Sequence, residues 1–217
     1  MVAALLAVLL TSTHDDALAA QAKLEQLGEQ HDYLAMEQLV GELSKRDWRS
    51  EPRLSNLLTA LERDLAYRHC DQSEIGRGRC YRDWASRWPK EQLAPEALFN
   101  AMIAFSREQD FEAVVEAAAA LEQGYPMSPL TPRAMFLSSR VLGELGREEE
   151  QAALGERLGT LWPIDRDAND GLFNAMVVRA RLRQCAKAKQ DAAKVAARAA
   201  KGSADALAAS RVIERCR

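Results

Sequence analysis

Glycine and proline are scarce in this chain, with 11 and 7 residues among 217, and aromatic residues make up 6%. No segment is rich in β-branched residues, which argues against strands. No apolar run is long enough to span a bilayer as a helix: the longest candidate, Met1 to Leu10, falls well short of the roughly 20 residues required. Histidine is nearly absent, with His14, His31 and His69 all in polar surroundings. The motifs that carry common chemistries are missing too. There is no glycine-rich phosphate loop, no G-x-S-x-G and no H-E-x-x-H, so the sequence calls for neither an enzyme nor a cofactor, and for no small-molecule substrate. A metal site built on His69, Cys70 and Cys80 would lack C-x-x-C spacing and a fourth ligand.

What is present is helix-forming. Alanine, leucine, glutamate, arginine and glutamine dominate, and 47% of the chain is apolar, enough to build a core. The net charge of -3 hides an asymmetry. Residues 179–217 hold 11 basic and 3 acidic residues, a net of +8, against 18 basic and 29 acidic elsewhere, a net of -11. Such ends either serve different partners, attract each other, or form solvated faces.

Three readings of the N-terminal 1–14 segment stand: the apolar part of a secretory signal, the remnant of a membrane anchor, or the first helix of the fold. Ala17-Leu18-Ala19 fits the small-residue pattern of a cleavage site, but no basic residue precedes the apolar run. Membrane association is expected, if anywhere, through this end.

The deciding pattern is an internal repeat. Leu98-Phe99-Asn100-Ala101-Met102 recurs as Leu172-Phe173-Asn174-Ala175-Met176 after 74 residues, and Met135-Phe136 lies halfway, at 37. Pro89, Pro126 and Pro163 keep the same step, each after an aromatic: Trp88, Tyr125 and Trp162. Leu98, Ala101, Met102 and Phe105 then mark one helix face. Helices end before prolines, because the residue preceding proline is pushed out of the α region. Each unit therefore reads as helix A, a short turn, helix B and a proline-marked turn. The expectation is an all-α chain of five helical hairpins, at 15–46, 53–88, 94–124, 131–162 and 168–201, plus a closing helix at 203–216. Together these make one domain over 15–217. Phe99, Phe136 and Phe173 are expected at equivalent buried positions. Tyr81 and Trp48 lie outside the repeated aromatic set and are expected to be exposed.

These residues resemble tetratricopeptide repeats, and Leu93 to Ala101 is similar to repeats of exported bacterial members. Leu27-Gly28 with Asp32-Tyr33, and Leu145-Gly146-Arg147, look like the family's inter-helix turn. The period of 37 departs from the family's roughly 34. So do Met102, Ser139 and Met176, where a very small residue is usual, and Ala199-Ala200, where the aromatic-proline ending is lost. The resemblance implies a solenoid whose A helices line a concave face that binds a peptide or helix of another protein. It also implies a bacterial cell-envelope complex, or the extracytoplasmic part of a membrane protein.

The four cysteines add to this. Cys70 and Cys80 lie five residues either side of Ile75, at the second turn; Cys185 and Cys216 lie 17 before and 14 after Gly202, at the last. Symmetry about turns pairs Cys70 with Cys80 and Cys185 with Cys216, and disulfides belong to an oxidising, periplasmic or extracytoplasmic compartment. Four buried free thiols are the alternative.

Candidate partner contacts, chosen by register, are Asn100, Ser139, Arg140 and Asn174 on A helices, with Arg181 and Arg183 at the basic end. The competing function is nucleic-acid binding by Arg179, Arg181, Arg183, Lys187, Lys189, Lys194 and Arg198. That cluster lacks interleaved aromatics for base stacking. The run Glu148-Glu149-Glu150 reads as helix capping, since negative charge complements a helix N-terminus.

Overall fold

The computed structural model describes residues 2–216, with side chains described from His14 onward. Eleven α-helices and no strand occur among the described residues: α1 Val2–Glu29, α2 Tyr33–Leu43, α3 Pro52–Gln72, α4 Arg77–Arg87, α5 Ala94–Arg107, α6 Phe111–Gly124, α7 Thr131–Glu144, α8 Glu148–Leu161, α9 Arg166–Arg181, α10 Cys185–Arg198 and α11 Ala204–Arg215. The chain divides into two compact units, Met1–Glu74 and Ile75–Arg217. This division falls inside the stretch that the sequence reads as the second hairpin.

In the first unit α1 packs on α2 and α2 on α3. Leu24, Leu27, Met36, Val40, Leu43, Leu54 and Leu58 form the core, joined by Ala17 and Trp48. Trp48 was expected to be exposed. It is buried instead, and its indole Nε1–H donates to the Leu43 carbonyl (2.8 Å), which satisfies its one polar atom. The expectation of a signal or anchor at 1–14 falls almost wholly on side chains outside the described residues. The cleavage motif lies within α1, where Ala17 is core. No helix among the described residues is long and apolar enough to cross a membrane.

In the second unit each helix packs on the next, from α4 to α11. The 37-residue step now has a physical meaning. Seven positions are buried in each of α5, α7 and α9: Ala94, Thr131, Ala168; Ala97, Ala134, Gly171; Leu98, Met135, Leu172; Ala101, Ser138, Ala175; Met102, Ser139, Met176; Ala104, Val141, Val178; and Phe105, Leu142, Arg179. Phe99, Phe136 and Phe173 do occupy equivalent positions, but half-buried ones beside this core. Tyr81, also expected outside, is buried. It stands in step with Ala118, Gly155 and Ala192, a column that is buried whatever its size.

The turns follow the same register. Gln109, Gly146 and Arg183 take positive φ of 60°, 72° and 58°, each 37 residues apart, and His31 does the same in the first unit at 57°. This left-handed residue follows α1, α5, α7 and α9 and turns the chain out of each helix. In two of these turns the next residue caps the B helix through its side chain: the carboxylates of Asp32 and Asp110 accept from the N–H of Ala35 and Ala113. Between α8 and α9 the backbones approach closely. A Cβ on Gly155 would run into the Gly171 carbonyl oxygen, and one on Gly159 would meet the Leu172 Cβ at 2.8 Å.

All four cysteines are disulfide-bonded. Cys185 is joined to Cys216 with Cα atoms 5.2 Å apart, fastening α11 to α10, and Cys70 and Cys80 are the other two bonded cysteines. Neither offers a thiolate to a metal.

Candidate protein-binding surface

The outward face of the A helices begins with the residues left over from the buried columns. Asn100 and Asn174 are half-exposed, and their counterpart on α7, 37 residues from each, is Leu137. Ser139 was expected on this row and is not there. It lies in the Met102 and Met176 column, is 1% exposed, and its Oγ donates to the Gln151 carbonyl of α8 (3.2 Å). A hydroxyl that finds a partner fits where an apolar residue would, so polarity alone misplaced it.

Arg140 is exposed and borders a hollow of about 170 Å³ between α5 and α7. Its lining includes Ile103, Ser106, Leu137, Val141 and Glu144, with Met102 and Val114 below. The hollow has an apolar floor, one cation and one carboxylate at its rim, the composition of a shallow side-chain socket. Ile103 and Arg140 are in step, and the next residue in that column is Val177, itself exposed.

The basic end is partly spent internally. Arg181 pairs with Glu148 of α8 (2.8 Å), and the Gln184 side-chain amide donates to Glu149 (2.9 Å). Glu150 pairs with Arg147, whose guanidinium holds that carboxyl below its usual range, and Arg147 also reaches Glu112 (2.8 Å). The acidic run at 148–150 therefore couples successive helices rather than only capping one. Arg183 is exposed but serves first as the left-handed turn residue.

Beneath this surface lies a buried polar group that sequence reasoning missed. Arg179 stands where the earlier units place Phe105 and Leu142, and Asp191 stands in step with Ala117 and Leu154. Arg179 is 3% exposed and pairs through Nε with Glu156 (2.6 Å), while its Nη1 donates to the Gln184 side chain. Asp191 is 2% exposed, its Oδ2 has no hydrogen-bond partner, and Lys194 Nζ is 4.0 Å from Oδ1. Burial pushes the Asp191 carboxyl up to about 7, helped by the neighbouring Glu156 charge and opposed by Lys194 and Arg179. The signal was available: two charges in columns that are apolar elsewhere.

No family model matches this chain, and no curated protein matches it in sequence.

Proposed function

We propose that this protein is a non-enzymatic scaffold, a solenoid of tetratricopeptide-like hairpins that holds a segment of another protein against its A helices. The observation that carries the reading is the hollow between α5 and α7. It joins half-buried apolar side chains, Ile103 and Leu137, to a flanking Arg140 and Glu144, at positions the 37-residue step repeats along the chain. Stacked helical pairs use such rows to grip extended peptides or helices. The four disulfide-bonded cysteines support an oxidising, extracytoplasmic setting, in a cell-envelope complex or beside a membrane protein. The internal pairing of Arg179 and Arg181, and the contacts of Arg198 with Asn169 and the Gly159 carbonyl, leave less of the basic end for phosphates, which favours a protein partner over a nucleic acid.

The test is affinity capture from a native envelope extract with three proteins: wild type, Leu137→Asp with Arg140→Glu, and Gln123→Lys as a control on exposed α6. A protein recovered by wild type and control, and lost from the double variant, supports the A-helix surface. Equal recovery by all three counts against it.

A further inference from the structure

Three successive hairpins end in an aromatic-proline pair, and the last differs from them at two side chains. Trp88, Tyr125 and Trp162 close successive units, and the residue in step with them on α10 is Ala199, followed by Ala200 in place of proline. The consequence is visible at Trp162. It packs against a cluster that includes Met135, Leu158 and Ala168, with Phe136 beside it. One step later the same four positions are Leu172, Val195, Asp205 and Phe173, and there they line an open pocket of about 350 Å³. Ala199, Ala200, Arg198, Asn169 and Ser203 complete its wall. The pocket thus lies where the 37-residue register seats Trp162 one unit earlier, with Ala199 in its place.

Its polar groups narrow the occupant further. Asp205 replaces Ala168, so a carboxylate now borders the place where an indole or phenol would sit, and it can accept a hydrogen bond from an aromatic N–H or O–H. Arg198 donates to Asn169 Oδ1 (3.1 Å) and to the Gly159 carbonyl (2.9 Å), and among the described residues it has no carboxylate at ion-pair distance. Its guanidinium lies on the wall, where it can meet a ring face as Arg87 meets Trp88, 4.5 Å from the ring centroid. The lining thus offers one cation, Arg198, and one carboxylate, Asp205, around an otherwise uncharged wall.

We infer that the pocket between α9, α10 and the start of α11 binds a tryptophan-proline element of a partner polypeptide, which supplies the ending that the last unit lacks. This site is separate from the hollow at Arg140 and does not depend on it.

The probe is a blocked, fluorophore-labelled peptide, Gly-Ser-Trp-Pro-Gly, titrated by anisotropy against the full-length, disulfide-intact protein. Saturable binding is expected. Exchanging the peptide tryptophan for alanine should weaken it roughly tenfold or more, since a buried aromatic anchor dominates such contacts. In the protein, Ala199→Trp with Ala200→Pro restores the repeated ending and fills the pocket. It should raise the thermal midpoint and abolish binding. Ala199→Leu, which fills the pocket in part, should weaken binding in a chain that folds as wild type. No saturable binding of the tryptophan peptide, equal binding of the alanine peptide, or undiminished binding by the Ala199→Leu protein would each overturn the inference.

Discussion

Asp191→Asn should stabilise this protein, and by an amount that depends on pH. The carboxyl is buried, its Oδ2 is unpartnered, and its nearest opposite charges, Arg179 and Lys194, are balanced by Glu156 on the other side. Arg179 already pairs with Glu156, so it has little left to offer. The folded state raises the carboxyl from 3.8 to about 7. A group whose folded value is raised holds its proton more tightly in the native state. Its contribution is therefore fully present below about pH 4, and is lost as pH rises toward 7. Ionising it in the fold costs about 4 kcal/mol, from about 1.4 kcal/mol for each tenfold change in proton affinity. Asparagine keeps the shape and cannot ionise. The expected result in urea unfolding is near-equal stability of variant and wild type at about pH 4. The difference should then open in the variant's favour and level off above about pH 7, at up to about 4 kcal/mol. Taking the difference removes the titration of every other carboxyl. A gap that stays flat with pH, or a variant less stable at high pH, would refute the reasoning and mean that Arg179 holds Asp191 ionised.

Other expectations concern the turns and the packing. Arg183→Gly should stabilise by up to about 1 kcal/mol and Gly146→Ala should destabilise by about as much, because both positions are left-handed; calorimetry would show it, and opposite signs would contradict the turn assignment. Gly155→Ala should cost roughly 1–3 kcal/mol through its clash with the Gly171 carbonyl, read as a lowered urea midpoint; no loss would mean α8 and α9 are not in close backbone contact. Replacing Cys185 and Cys216 by serine opens a link spanning 31 residues, worth about 3–4 kcal/mol at most; amide exchange in α11 should accelerate, and unchanged protection there would show the bond to be energetically silent.

Much of the second unit was legible because the repeat is physical. The seven core columns of α5, α7 and α9 stay buried at each 37-residue step, so the helices at 94–124, 131–162 and 168–201 could be placed from Pro126, Pro163 and the Leu98 and Leu172 runs. The failures came from reading residue type in place of register. Ser139 looked like a contact because it is polar, yet its column is buried and its hydroxyl is satisfied by Gln151. Tyr81 and Trp48 looked exposed because they fall outside the aromatic set, yet a column, or a lone indole with a carbonyl partner, buries them. Arg179 was counted among surface basics, although Phe105 and Leu142 precede it in the same core column. The pocket beside Ala199 was visible as a missing Trp-Pro, but an absence in sequence becomes a cavity only when its neighbours are placed.

The claim that the A helices grip a protein partner is tested most directly by site-specific photo-crosslinking. A photoreactive amino acid is placed in turn at Ile103, Leu137 and Arg140, and at the exposed positions Gln123 on α6 and Gln190 on α10, in protein expressed in its native cell. The account predicts one shared crosslinked product from the first three positions and none from the last two. Crosslinks from α6 or α10 alone, or the same product from all five, would contradict it.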